Sequence, residues 1–127
     1  MHPFRTAVQA RDIAAIVDLL DEDVVFRSPV AFTPYEGRSA VATLLEAALD
    51  VFEDFTYVHE LGTPDGRDVA LVFNARVAGR EVEGCDFVHT DKSDRITELA
   101  VMVRPLSGVL ALNEGMMVRL AAAERRG

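Results

Sequence analysis

The chain has 127 residues, half of them hydrophobic, which is the size and composition of one globular domain with its own core. Its 13 basic and 21 acidic residues give a net charge of −8, which argues against binding to nucleic acid or to an anionic membrane surface. Cys85 is the only cysteine, which excludes an internal disulfide and a cysteine-rich metal site. Without an apolar run of transmembrane length or a secretory signal, residues 1–127 are expected to form a single cytoplasmic domain.

The first part of the chain has the apolar spacing of helices. Apolar residues recur at helical intervals over 3–20 and predict one helix there. Residues 24–26 favour a short strand, and segment 28–37 contains two prolines and a glycine, which indicates a loop. A second helix is predicted over 39–52, with a serine at its start as the cap.

From residue 53 onward the apolar residues alternate, as is typical of strands. Four strands are predicted, over 55–61, 69–77, 81–89 and 96–104. Pro105 ends the last strand, and residues 106–123 predict a closing helix. Two helices, a meander of four strands and a final helix indicate an α+β fold with a curved antiparallel sheet of about four long strands.

Four segments of the chain carry a family resemblance, and they span nearly its whole length. Residues 19–30, 35–38, 84–91 and 95–99 resemble the nuclear transport factor 2-like superfamily, and within it the SnoaL-like branch, which is related to ketosteroid isomerase. The resemblance implies a sheet wrapped around the N-terminal helices into a cone with an internal apolar pocket. It also implies a homodimer and a small apolar ligand, whereas activity cannot be inferred from such a fold alone.

Compared position by position, the chain keeps only part of the catalytic set of ketosteroid isomerase. The resemblance places Ser28 at the general-base aspartate, and a serine does not remove a carbon-bound proton unaided at neutral pH. It places Phe4, which has no hydroxyl, at the oxyanion-hole tyrosine, and Asp86 at the second oxyanion donor. We therefore do not expect steroid isomerisation by that mechanism.

Limonene epoxide hydrolase, another branch, uses an arginine flanked by two aspartates to activate water. The resemblance keeps its arginine as Arg76 but puts Ala78 at the first aspartate. The second aspartate falls near Val101. Because both carboxylates are missing, that hydrolysis is not expected either.

Asp86 is the strongest candidate for chemistry in the sequence. Strand alternation puts it on one face with Val82, Gly84 and Val88. A carboxyl group among such neighbours in a pocket wall should have a raised pKa, so that it either donates a hydrogen bond to a carbonyl or acts as a base. If the strand register is shifted, Asp86 instead faces water or pairs with an arginine such as Arg76.

Other polar residues on the predicted strands leave alternatives open. Alternation places Tyr57 and His59 on one face, where His59 either transfers protons near neutral pH or is a hydrogen-bonded core or interface residue. Asn74 and Arg76 share a face that points either into the pocket or outward to a dimer partner. Tyr35 lies either at the pocket mouth or over the second helix.

Taken together, these residues predict an apolar pocket with few polar groups. The expected catalytic residues are Asp86 and His59. The expected pocket and ligand-binding residues are Phe4, Ser28, Tyr35, Tyr57, Asn74, Val88 and Val101. No metal site is expected, because His89 and Asp91 lack a third ligand at convincing spacing, and no cofactor is implied.

Two functions of different kinds remain. The first is a cofactor-free isomerase, cyclase or dehydratase that acts on an apolar carbonyl compound through Asp86. The second is a non-catalytic module that binds a small apolar molecule or only dimerises. In either case the dimer surface is predicted on the outer face of the sheet, at Cys85, Phe87 and Met102.

Overall fold

The computed structural model describes residues 1–126, which form four helices and six strands. The helices are α1 (Pro3–Gln9), α2 (Ile13–Leu19), α3 (Arg38–Val51) and α4 (Leu106–Arg126). The strands are β1 (Leu20–Arg27), β2 (Tyr35–Glu36), β3 (Glu53–Gly62), β4 (Asp68–Val77), β5 (Arg80–Thr90) and β6 (Ile96–Arg104). The α+β class predicted from the sequence is confirmed.

The predicted first helix is in fact two helices with a turn between them. Arg11 in that turn has a φ of 54°, a left-handed conformation that an α-helix cannot continue through. Asp12 then caps α2, because its carboxylate accepts a hydrogen bond from the Ala15 N–H at 3.1 Å. Helical spacing continues across the break because α1 and α2 bury their apolar sides, including Phe4 and Ile16, in the same core.

The six strands form one mixed sheet in the order β2-β1-β6-β5-β4-β3. Strands β3 to β6 are the predicted antiparallel meander. The short strand expected at 24–26 extends over β1, which pairs in parallel with β6 and carries β2 on its other side. The sheet therefore has two strands more than expected, and one of its pairings is parallel rather than antiparallel. Strands β1 and β6 are far apart in the sequence, so their parallel pairing produces no local sequence pattern from which it could be predicted.

Helix α4 packs against α3 and against the inner side of β4, β5 and β6. Two glycines allow this close approach, since a Cβ at Gly108 would lie 2.3 Å from Val82 Cγ1 and one at Gly115 would lie 3.1 Å from Val51 Cγ1. Glycine weakens a helix, but here it brings α4 near the sheet and α3. None of the described helices is long and apolar enough to cross a membrane.

Candidate functional site

A cavity of about 380 Å³ lies between the helices and the inner face of the sheet, and this volume is in the range of small-molecule sites. Its wall is mainly apolar and includes Phe26, Leu44, Phe52, Phe55, Phe73, Leu99, Val101, Leu112 and Met116. All four helices and all six strands contribute residues to this wall. An apolar molecule of moderate size therefore fits the character of the cavity.

Asp86 on β5 is the only charged side chain that is buried within residues 1–125, with 6% of its surface exposed. The Tyr57 hydroxyl on β3 donates a hydrogen bond to Asp86 Oδ2 at 2.6 Å. Both residues line the cavity, and no described residue donates a hydrogen bond to Asp86 Oδ1. One oxygen of the carboxyl group is thus held by Tyr57, and the other receives no hydrogen bond from a described residue.

The surroundings of Asp86 change its protonation. Burial raises the pKa of Asp86 to about 7, and the hydrogen bond from Tyr57 partly opposes this by stabilising the ionised form. Burial and the neighbouring Asp86 carboxylate raise the pKa of the Tyr57 hydroxyl well above its ordinary value. At neutral pH, Asp86 is therefore present in both protonation states, while Tyr57 keeps its proton and remains a hydrogen-bond donor.

Aromatic rings pack around Tyr57, beside Asp86. Phe55 stacks on Phe73 with ring centroids 4.5 Å apart, and the ring of Tyr57 meets Phe55 edge-on at 4.9 Å. Gly84 makes room for this cluster, because a Cβ there would lie 2.2 Å from Phe73 Cζ. The rings provide the apolar environment that disfavours ionisation of Asp86.

Helix α1 also contacts Tyr57, through the side chain of Arg5. The Arg5 guanidinium lies 5.9 Å from the centre of the Tyr57 ring, within the range of a cation–π interaction. Arg5 also pairs with Glu60 on β3 at 3.3 Å, and both side chains are only partly buried. Glu60 in turn accepts a hydrogen bond from the His2 backbone N–H at 3.1 Å. These contacts tie the start of the chain to the strand that carries Tyr57.

Four exposed polar residues also touch the cavity, and we call them the polar rim: Gln9, Arg11, Asp54 and Asn113. Ser28 lies in the wall as well, but its hydroxyl oxygen accepts hydrogen bonds from the backbone N–H groups of Val30 at 3.0 Å and Ala31 at 3.2 Å. Its oxygen is therefore used to shape its own loop. Among residues 1–126, no three His, Cys, Asp or Glu side chains come together to hold a metal ion.

The structure brings most of the residues expected in the pocket to the cavity wall. Those that lie there are Phe4, Ser28, Tyr35, Tyr57, Asp86 and Val101. Asn74 and Arg76 lie on the exposed outer face of β4, so Arg76 does not pair with Asp86. Val88 shares the inner face with Asp86, as predicted, but it is buried in the core and does not line this cavity.

His59 is exposed on the outer side of β3, which corrects its predicted placement. Tyr57 pairs with Phe73 whereas His59 pairs with Val72, so β3 has one more residue than β4 across this step. Such a bulge reverses the faces of all residues that follow it. Simple alternation therefore fails between Tyr57 and His59, and the two side chains point to opposite faces.

Sequence reasoning missed that Tyr57 is the partner of Asp86. Tyr57, Phe73 and Gly84 form one row across β3, β4 and β5, and Asp86 lies two residues beyond Gly84 on the same face. Gly84, a glycine at an inward-facing position of β5, was the one sequence feature that indicated a large ring packed over this strand. The rim residues Arg11 and Asp54 were also missed. Both have a positive φ, Arg11 in the turn after α1 and Asp54 at an irregularity of β3, and neither place carries a periodic pattern.

Comparisons with known proteins agree with this architecture. A family model described as the SnoaL-like domain matches residues 2–99. A steroid delta-isomerase from Pseudomonas aeruginosa is 44% identical, with a TM-score of 0.91 and coverage of 96% of this chain and 89% of that chain. An uncharacterized protein with a cystatin-like fold from Silicibacter pomeroyi is 32% identical, with a TM-score of 0.91 and coverage of 98% and 90%.

A more distant structure shares the fold alone. The epoxide hydrolase/cyclase-like enzyme SalBIII, which has a role in pyran ring formation in salinomycin, is 20% identical with a TM-score of 0.67. The match covers 83% of this chain and 87% of that one. No curated protein shows significant sequence similarity to the chain. Helix α4, with its cavity residues Leu112 and Met116, lies beyond the residues that the family model matches.

Replacing Asp86 with asparagine should stabilise the protein at alkaline pH. The pKa of Asp86 is about 7 in the fold against an ordinary 3.8, so the stability that the protonated form provides is complete below about pH 4 and is lost as the pH rises through about 7. Urea unfolding should show Asp86→Asn more stable by about 4 kcal/mol near pH 8, and by much less near pH 4. Asp54→Asn, at an exposed carboxylate, is the control without this pH dependence. An equal effect of Asp86→Asn at both pH values would contradict the burial account.

Removing the Tyr57 hydroxyl should raise the pKa of Asp86 above about 7, because its hydrogen bond favours the ionised carboxylate. The measurement is a carbon-13 NMR titration of the Asp86 carboxyl in the wild type and in Tyr57→Phe. Tyr35→Phe removes a hydroxyl from the same cavity wall without touching Asp86, and should leave the titration unchanged. Identical titrations of wild type and Tyr57→Phe would show that the hydrogen bond does not act on Asp86.

Proposed function

The chain belongs to the SnoaL-like domain family of the nuclear transport factor 2-like fold, and on this basis we propose that it binds an apolar carbonyl compound in its cavity. The observation that carries the proposal is the buried Asp86 carboxyl, with one oxygen on Tyr57 and the other unpartnered at an apolar cavity. A purely structural core would avoid such a group, because a buried carboxyl is costly when it ionises. Groups with strongly shifted pKa values in cavities are concentrated at functional sites.

Asp86 acts on the carbonyl compound through its two protonation states. When protonated, it donates a hydrogen bond to the carbonyl oxygen and polarises the C=O bond. When ionised, it accepts a proton from the carbon next to the carbonyl, which leaves an enolate. The Tyr57 hydroxyl holds the carboxyl in one orientation for either role. Isomerisation, aldol-type cyclisation and dehydration all begin with removal of such a proton, so they are the proposed reaction classes.

The relatives support this range of chemistry. The Pseudomonas protein with 44% identity is a steroid delta-isomerase, and SalBIII with the same fold is an epoxide hydrolase/cyclase-like enzyme. We do not extend the steroid substrate to this chain. Ser28 stands where ketosteroid isomerase is expected to have its base, and its oxygen is bound to the loop backbone. The base of the proposed reaction is therefore Asp86 itself.

A binding protein without catalysis is the second candidate, and the scarcity of carboxylates favours it. Among the described residues, the only other carboxylate in the cavity wall is Asp54. Asp54 is exposed, and it pairs with Arg76 at 3.5 Å. Acid and base roles in one reaction commonly need two groups, and here one buried carboxyl would serve both in turn.

The wild-type protein should prefer a ketone to a matched hydrocarbon. We expect 2-acetylnaphthalene to bind more tightly than 2-ethylnaphthalene, with the preference declining as the pH rises through about 7, because ionised Asp86 cannot donate a hydrogen bond. Fluorescence titration measures both affinities. Asp86→Asn keeps an N–H donor and should lose only the pH dependence, whereas Asp86→Leu should lose the preference itself. A wild type that binds the two compounds equally would contradict the proposal.

Exchange of the methyl-ketone protons in D₂O, followed by proton NMR, separates the enzyme from the binding protein. Catalysed exchange that Asp86→Asn abolishes would support proton removal by Asp86. Ketone binding without catalysed exchange would contradict the enzyme and favour the binding protein. This assay tests enolate formation directly and requires no knowledge of the natural substrate.

We further propose a homodimer through the outer face of β5 and β6. Phe87 and Met102 are large apolar side chains exposed in the middle of the sheet, and Met102 pairs with the half-buried Cys85. Contiguous exposed apolar side chains of this kind are typical of interaction surfaces. The ion pair between Arg104 and Glu83 lies beside this patch, and charged residues are common at the border of a protein–protein interface.

Phe87→Glu should convert the dimer to a monomer, because a carboxylate would be buried without a partner in the interface. Sedimentation velocity at micromolar concentration measures the change. Phe32→Glu introduces the same charge at a fully exposed loop phenylalanine and should leave the dimer intact. A monomeric wild type at that concentration would overturn the proposal.

A further inference from the structure

Among the described residues, Arg11 is the only basic side chain in the cavity wall, and its position there is fixed from two sides. Its backbone has a φ of 54°, which is uncommon for arginine and sets the direction of the turn between α1 and α2. Its Nη2 atom donates a hydrogen bond to the backbone oxygen of Leu49, near the end of α3, at 2.8 Å. Leu49 also lines the cavity, so the guanidinium is anchored at the rim.

The anchored guanidinium has no carboxylate partner among the described residues, although the chain has 21 acidic residues and only 13 basic ones. No described carboxylate lies within 4.0 Å of Arg11, whereas Arg5, at the other end of α1, is paired. The other charged residue of the rim, Asp54, is paired with Arg76. A guanidinium has five N–H donors in a planar fork, so donors remain available to an incoming carboxylate after the bond to Leu49.

We propose that the ligand is a keto acid with an apolar skeleton, whose carbonyl lies at Asp86 and whose carboxylate is bound by Arg11 at the cavity mouth. This inference rests on the carbonyl-binding function proposed above and adds the class of compound. The opposite orientation is disfavoured, since a ligand carboxylate beside Asp86 would be desolvated and repelled by the ionised form. At the exposed rim a carboxylate stays partly hydrated, and its pairing with Arg11 adds affinity without deep burial.

A purely structural role for Arg11 makes a different prediction. Its hydrogen bond to Leu49 stabilises the end of α3, so removing it lowers stability whatever the ligand carries. If that were its only role, neutral and anionic ligands would be affected alike. The deciding measurement therefore compares ligands that differ only in charge.

The probes are 6-acetyl-2-naphthoic acid and 3-(6-acetyl-2-naphthyl)propanoic acid, which carry the carboxylate at two distances from the ketone, each with its methyl ester. We expect the wild type to bind at least one acid about tenfold more tightly than its ester, as a charge-assisted pair implies. Arg11→Met should abolish this preference by weakening the acid, whereas any effect of losing the Leu49 hydrogen bond falls on acid and ester alike. Arg80→Met removes an exposed arginine outside the cavity wall and should retain the preference.

The comparison of acid and ester binding to the wild type is already sufficient to test the proposal. The test therefore does not depend on whether a variant folds. Equal affinity for acid and ester with both probes would overturn it, as would an Arg11→Met variant that weakens both compounds equally. Failure of the carbonyl function would look different. In that case the esters would bind no more tightly than the methyl ester of 6-ethyl-2-naphthoic acid, which lacks the ketone.

Discussion

A carboxyl group in the wall of an apolar cavity is stable only when it is protonated, hydrogen-bonded or bound to a ligand, because an unpaired buried charge is costly. At Asp86 the protein provides one partner, the Tyr57 hydroxyl at 2.6 Å, and leaves the other oxygen unpartnered at the cavity. The pKa of about 7 reflects this incomplete compensation. Tighter hydrogen bonding would keep the group ionised, and a fully apolar setting would keep it neutral, so the observed balance allows both forms near physiological pH.

The rest of the site keeps this balance in place. Gly84 leaves space for the Phe73 ring, which belongs to the aromatic cluster that packs around Tyr57. On the opposite side of Tyr57, the ion pair of Arg5 with Glu60 joins α1 to β3. Elements that are far apart in sequence thus meet at one hydrogen bond.

The sequence predicts the strands well and the contacts between them poorly. Alternation identified the inward face of β5 and hence Asp86. Side chains of a strand point alternately to its two faces, so this pattern can be read from the sequence of β5 alone. It misplaced His59, because the bulge after Tyr57 is a property of strand pairing and not of β3 alone. The break at Arg11 was hidden for a similar reason, since the helices on both sides of it share one apolar core. The roles of residues that depend on the pairing of distant strands or on turns could therefore be identified only from the structure.

The most direct test of the central claim is the carbon-13 chemical shift of carbonyl-labelled 2-acetylnaphthalene bound to the protein. If protonated Asp86 donates its hydrogen bond to the ligand, the bound carbonyl carbon in the wild type should be deshielded relative to the ketone in an apolar solvent. That deshielding should disappear in Asp86→Leu, which has similar volume and no donor. A bound ketone with the same carbonyl shift in both proteins would show that Asp86 does not contact the carbonyl and would contradict the account.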